Sequence, residues 1–237
     1  MKILSLFIAL IVILSGCSAH RIASIGKINN LDGWEAHPTQ LNEPSTTLWK
    51  ASNENKGENA LVIEVSSCNY GQKTFFMVIP PVPLGTMPSL ENEPVFIVTV
   101  SMLSLEGNYS ISPASIQYED SKGIKYSPIS LSVGQNICDI ETELSTGKMY
   151  HEGEYISVLQ PPRVKRTWIP TQESKTYEAK ARTENSAVEV VSLSVMFKVK
   201  PPSVEEIFYL SIPVSHDGKS IEVPKLTFTK ETVWGGW

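Results

Sequence analysis

Apart from the run Ile3 to Leu14, the sequence has no long apolar stretch. A helix needs roughly 20 apolar residues to cross a bilayer, so no transmembrane helix is expected in the body of the chain. Basic charge is also short. Lys and Arg number 20 against 25 Asp and Glu, leaving a net charge of -5 over 237 residues. Proteins that bind nucleic acid carry a basic field, so nucleic acid is not an expected partner. Apolar residues make up 41% of the chain, which suits a folded body, and the length suits one sizeable core.

The residue patterns of hydrolytic and metal chemistry are missing too. The four histidines, His20, His37, His151 and His216, stand far apart in loop-like contexts. Neither a G-x-S-x-G elbow nor an H-E-x-x-H pair occurs, and these are what a nucleophilic serine or a zinc protease needs. Asp217-Gly218-Lys219-Ser220 lacks the glycine five residues earlier that a phosphate loop requires, and reads as a turn. His216-Asp217 could join a distant serine in a catalytic constellation, but reads as a solvated hairpin tip. No cofactor is expected.

What the chain does have is a leader. Met1-Lys2, the apolar run and Ser15-Gly16-Cys17 form the three parts of a secretory signal. Its exit, Leu14-Ser15-Gly16-Cys17, resembles the bacterial lipobox. That resemblance covers positions 1 to 17. It implies that the Cys17 thiol receives a diacylglyceryl group, that the signal peptide 1–16 is cut away, and that the new amine is acylated in turn, with palmitate-like chains. One acyl chain holds a protein marginally, at about 0.8 kcal/mol per buried CH₂, and two or more hold it firmly. Ser18, where Gram-negative lipoproteins retained in the inner membrane favour Asp, leans towards the outer membrane. The domain is then expected in the cell envelope, in the periplasm or at the surface.

Lipidation uses one of three cysteines and leaves Cys68 and Cys138. In an oxidising compartment the two are expected to form a disulfide. The alternative is two buried thiols acting as small apolar groups.

From 17 to 45 the chain is polar and turn-rich (Asn29-Asn30, Asp32-Gly33, His37-Pro38, Glu43-Pro44), and reads as a tether with Trp34 docked on the body. From 46 to 237 the pattern is β. Ala60 to Ser66 alternates with period 2, and Val95 to Leu105 is dense enough for a central strand. Thr74 to Ile79, Glu154 to Leu159, Val164 to Ile169, Thr176 to Ala181 and Val188 to Val199 supply more. Prolines 80, 81, 83, 88 and 94 exclude a helix between them and point to a loop or edge excursion. Hairpins are expected around Asp120-Ser121-Lys122, and from Phe208-Ile212 through His216-Lys219 into Ile221-Val223. Only Ser203-Val204-Glu205-Glu206 fits a helical capping box. The fold class is therefore all-β, an antiparallel β-sandwich with at most one or two short helical turns. Ile63, Val65, Val98, Val100, Val195 and Phe197 should face its core, with Glu64 and Lys198 in water.

Three clusters carry weaker signals. Asp139, Glu141 and Glu143, with Glu152 and Glu154 further on, suit either Ca²⁺ or a solvated face. Arg163, Lys165 and Arg166 beside Trp168 suit lipid phosphate or an acidic glycan, or simply a charged edge that resists aggregation. The closing Val233-Trp234-Gly235-Gly236-Trp237 either folds back on the core, or serves as an interaction tag or a contact with the membrane interface, where tryptophan is enriched.

Together these features point to a lipid-anchored envelope protein that binds or scaffolds an envelope protein or glycan, and is attached to the membrane through its lipid. The rivals are an envelope-polymer hydrolase and an accessory lipoprotein of a secretion or surface-appendage apparatus. The lipobox reading has a direct check. Cys17→Ser should accumulate as unprocessed precursor without acyl label, and a variant processed and anchored like the parent would refute it.

Overall fold

A computed structural model describes residues 17–29, 31–39, 45–52, 59–69, 73–77, 82–87, 93–134, 146–151, 154–159, 168–173, 175–181 and 190–236. In chain order its strands begin with β1 (Cys17–Ile28), β2 (Trp34–Thr39), β3 (Ser45–Ala51), β4 (Asn59–Ser66), β5 (Lys73–Met77) and β6 (Val82–Met87). Next come β7 (Phe96–Ser104), β8 (Asn108–Ile111), β9 (Gln117–Glu119), β10 (Lys125–Tyr126), β11 (Ser130–Val133), β12 (Thr146–His151) and β13 (Glu154–Leu159). The last are β14 (Ile169–Pro170), β15 (Tyr177–Lys180), β16 (Val190–Phe197), β17 (Phe208–Ser211), β18 (Val214–His216), β19 (Lys219–Ile221) and β20 (Leu226–Gly236). Among the described residues the only helical pieces are 3-10 turns at Pro113–Ser115 and Thr171–Glu173.

Two seven-stranded antiparallel sheets dominate. One runs β10-β9-β17-β20-β1-β5-β6 and the other β14-β11-β16-β7-β4-β3-β2, with a four-stranded sheet β15-β8-β18-β19 and a hairpin β12-β13 besides. The fold is an all-β sandwich, as the period-2 patterns require. β7 lies in the middle of its sheet, which its buried run Phe96 to Val100 reflects. All six residues expected in the core are at most 1% exposed.

Aromatic rings join the two large sheets. Phe208 stacks on Phe228 at 4.7 Å within the first. Phe96, from the second sheet, meets Phe208 at 5.7 Å and Tyr118 at 5.0 Å, both edge to face. Such pairs add roughly 0.5–1.5 kcal/mol each beyond the area they bury. One core cluster takes residues from β3 and β4 at one end of the sequence and from β16 and β20 at the other.

The structure corrects several expectations. Residues 17–28 and 34–39 are strands, not a tether. The segment is polar because its polar groups are used: the Thr46 hydroxyl donates to the Gly26 carbonyl at 3.0 Å, and the Asn69 amide donates to Ser24 Oγ at 2.9 Å. Trp34 joins the core. The proline-bracketed segment holds β6, a terminal strand where Pro83 is tolerated. Ser203–Glu206 is a turn: the Glu206 N–H donates to the Ser203 carbonyl and the Glu205 N–H to its hydroxyl. With Pro201-Pro202 before it and β17 soon after, no second helical turn follows. Glu64 is half-buried and accepts a hydrogen bond from Ser45, while Lys198 is exposed.

The expected hairpin from Phe208 is divided. β17 stays in the first sheet beside β20 and β9, and Pro213 precedes a crossing to β18, which pairs with β19. The turn Asp217-Gly218 has both φ values positive, as a tight two-residue hairpin demands. The other hairpin forms as expected between β9 and β10. There Asp120 Oδ1 accepts from the N–H groups of Lys122 and Ile124, and Oδ2 accepts from the Tyr126 hydroxyl.

Desolvation opposes ionisation of Asp120, but these donors outweigh it and hold its carboxyl below the ordinary value. A depressed folded pKa stabilises above the unfolded value near 3.9 and is lost as pH falls through the folded one. Asp120→Ala should therefore melt earlier than the parent at neutral pH, and the gap should close below about pH 4. A gap independent of pH would show that the carboxylate is not the cause.

Candidate functional site

Where the terminal strand β2 passes over β1 and β20, the sandwich leaves an open cleft of about 630 Å³. Its floor depends on glycine. A Cβ on Gly26 would lie 3.0 Å from Leu226 Cδ2 and from Thr46 Oγ1, and 3.2 Å from Phe228 Cζ. A side chain there would press on Thr46 of the opposite sheet and on Leu226 and Phe228 of neighbouring β20, each of which would have to give by a few tenths of an ångström. Trp34, 8% exposed, supplies one aromatic wall.

The rim is charged on both sides. Lys27 Nζ meets Glu231 Oε1 at 2.5 Å across β1 and β20, and His37 Nε2 lies 3.2 Å from Glu35 Oε2 along β2. The His37 ring also leans on Trp49 at 5.4 Å. All four charged or titratable side chains are well exposed, so each pair contributes at most about 1 kcal/mol and can exchange its partner for a ligand. Among the described residues β2 ends its sheet, with β3 on one side and no strand on the other. Pro38 and the polar side chains of Glu35 and His37 guard that edge. The combination is an apolar, partly aromatic floor with cations and anions at the rim, which is a recognition surface.

The residues singled out from sequence are dispersed by the fold. Cys17 is the first residue of β1. Cys68 is buried at 4% exposure, is disulfide-bonded, and has left-handed backbone with φ of 47°. Cys138 lies outside the described residues, as do Asp139, Glu141, Glu143, Glu152, Arg163, Lys165, Arg166 and Trp237. Glu154 opens β13 and His151 ends β12. Trp168 packs against a small cluster of Ala23, Ile25, Cys68 and Ile97. His216 stacks on Tyr109 at 4.4 Å, in the four-stranded sheet rather than at the cleft. Among the described residues no three metal-ligating side chains gather. Among the histidines whose side chains are described, His37 is the one that the fold brings to the cleft. Glu35 and Gly26 were missed, although Glu35 and His37 show the two-residue spacing of one strand face.

The class that fold and cleft define is an antiparallel β-sandwich with a surface groove at the edge of one sheet. No protein-family model matches the chain, and no curated protein matches it in sequence.

The glycine argument is testable. Gly26→Ala should cost about 1–3 kcal/mol by overpacking, read from urea unfolding. A neutral result would mean that the sheets are not held at this approach.

Proposed function

We propose that the chain is a lipid-anchored cell-envelope protein, attached to the outer membrane through Cys17, whose sandwich binds or scaffolds an envelope partner. The anchor half draws on the Leu14-Ser15-Gly16-Cys17 exit. The binding half is carried by the cleft of Trp34, Glu35, His37, Lys27 and Glu231, open to solvent and edged by β2, the terminal strand of its sheet among the described residues. An extended segment of an envelope protein fits such a groove best. Backbone groups of a terminal strand accept an added strand, and side chains of both charges give it register. A glycan is the other ligand class that an aromatic floor with polar rim accommodates.

A photo-crosslinker at Pro38, on the rim, should trap a discrete partner in intact cells. The doubly substituted Glu35→Lys/His37→Ala protein should lose that adduct while its melting temperature stays at the parent value. An adduct pattern unchanged by the rim substitutions would sink the cleft as the binding site.

The same reading assigns Cys68 a bridge to Cys138, completed in an oxidising compartment. Peptide mass spectrometry without reduction should recover the two linked. Linkage of Cys68 to Cys17 instead would overturn both the pairing and the lipidation.

A further inference from the structure

The register of the first sheet sets apolar and aromatic positions level with Cys17. Met77 of β5 stands opposite Cys17, and Val82 of β6 stands opposite Met77. In the next row Ser18 lies between Gly236 and Phe76, and Pro83 follows beside Phe76. Ala19 then has Gly235 and Phe75 as neighbours, and His20 has Trp234 and Thr74. No Asp, Glu, Lys or Arg occupies any of these four rows. The fifth row changes character. Arg21 stands directly opposite Lys73, and opposed like charges on neighbouring strands destabilise a sheet. A negative partner would relieve that row.

We infer that this end of the domain is an interfacial collar, which dips into the headgroup region of an anionic phospholipid bilayer around the lipidated Cys17. The inference rests on the lipid-anchor reading and adds an orientation to it. A strand advances about 3.3 Å per residue, so the rows from Cys17 to His20 span ~10 Å, the depth to which interfacial segments bury. Trp234, in the fourth row, lies where tryptophan is most favoured, between hydrocarbon and water. Arg21 and Lys73 stand one row further, at ~13 Å, a register position level with the phosphates, whose field attracts basic residues close to the surface. Because β1 is a strand from Cys17 onward, no spacer separates the acyl chains from these rows. The bilayer is therefore the surface they face.

The full mature protein, purified with its acyl chains and carrying Trp237→Phe, is placed on phosphatidylcholine–phosphatidylglycerol vesicles with brominated acyl chains. Tryptophan quenching is then compared with that of the W234F/W237F protein. Bromolipid should quench the first, and the quenching should be lost in the second although both float with the vesicles and melt alike. Arg21→Gln/Lys73→Gln, or omission of phosphatidylglycerol, should weaken the quenching without releasing the protein. Flotation without quenching, or quenching that survives Trp234→Phe, overturns the collar and leaves the anchor standing. A parent protein that carries no acyl mass and fails to float overturns the anchor, and the collar with it.

Discussion

The pairing of β1 with β20 is the constraint on which the rest of the structure depends. It runs without a register shift from Ser18 opposite Gly236 to Ile28 opposite Leu226. Through it β5 and β6 attach on one side and β17, β9 and β10 on the other. Loss of that ladder would leave the first sheet as two fragments with exposed edges, neither broad enough to cover the opposite sheet. The cleft depends on it as well. Its floor is the point where β1 and β20 run side by side, and its Lys27–Glu231 rim pair bridges the same two strands.

A second device fixes β1 to the chain that follows β4. Cys68 sits in left-handed backbone, which costs a non-glycine residue roughly 1–2 kcal/mol. The residues on either side offset that cost. Ser67 Oγ donates to Asn69 Oδ1 at 2.6 Å, and the Asn69 amide donates to Ser24 Oγ at 2.9 Å and to the Pro202 carbonyl at 3.4 Å. All three side chains are buried. Buried polar networks stabilise only when their members are satisfied together. Here one asparagine ties β1, the bend at Cys68 and the loop before β17 into a single arrangement.

Most of the fold was legible where side chains alternate in burial. β4, β7 and β16 carry apolar residues of the right spacing, and their bounds differ from expectation by only a few residues. β1 and β2 were not legible, because their burial is shared with polar groups. Ser24, Gly26 and Thr46 are buried by hydrogen bonding and close approach rather than by hydrophobicity, and composition alone cannot tell such a strand from a tether. The candidate site was lost for the same reason. Glu35 and His37 lie in the stretch read as linker, and the cleft exists only because β2 crosses β1 and β20, a long-range relation with no local signature. The second hairpin failed differently: its turn was read correctly, but Pro213 moved the preceding strand into another sheet.

The ladder between β1 and β20 also governs when this domain can fold. β1 leaves the ribosome long before β20 exists, and its partner β5 supplies only the rows from Cys17 to Arg21. The first sheet must therefore wait for loop closure across nearly the whole chain, and non-local β pairing of this kind is slow. Until β20 arrives, most of β1 is an open strand edge, which is a template for aggregation. A chain with this order of elements needs its early strands shielded during synthesis, for longer than a sandwich built from successive hairpins would.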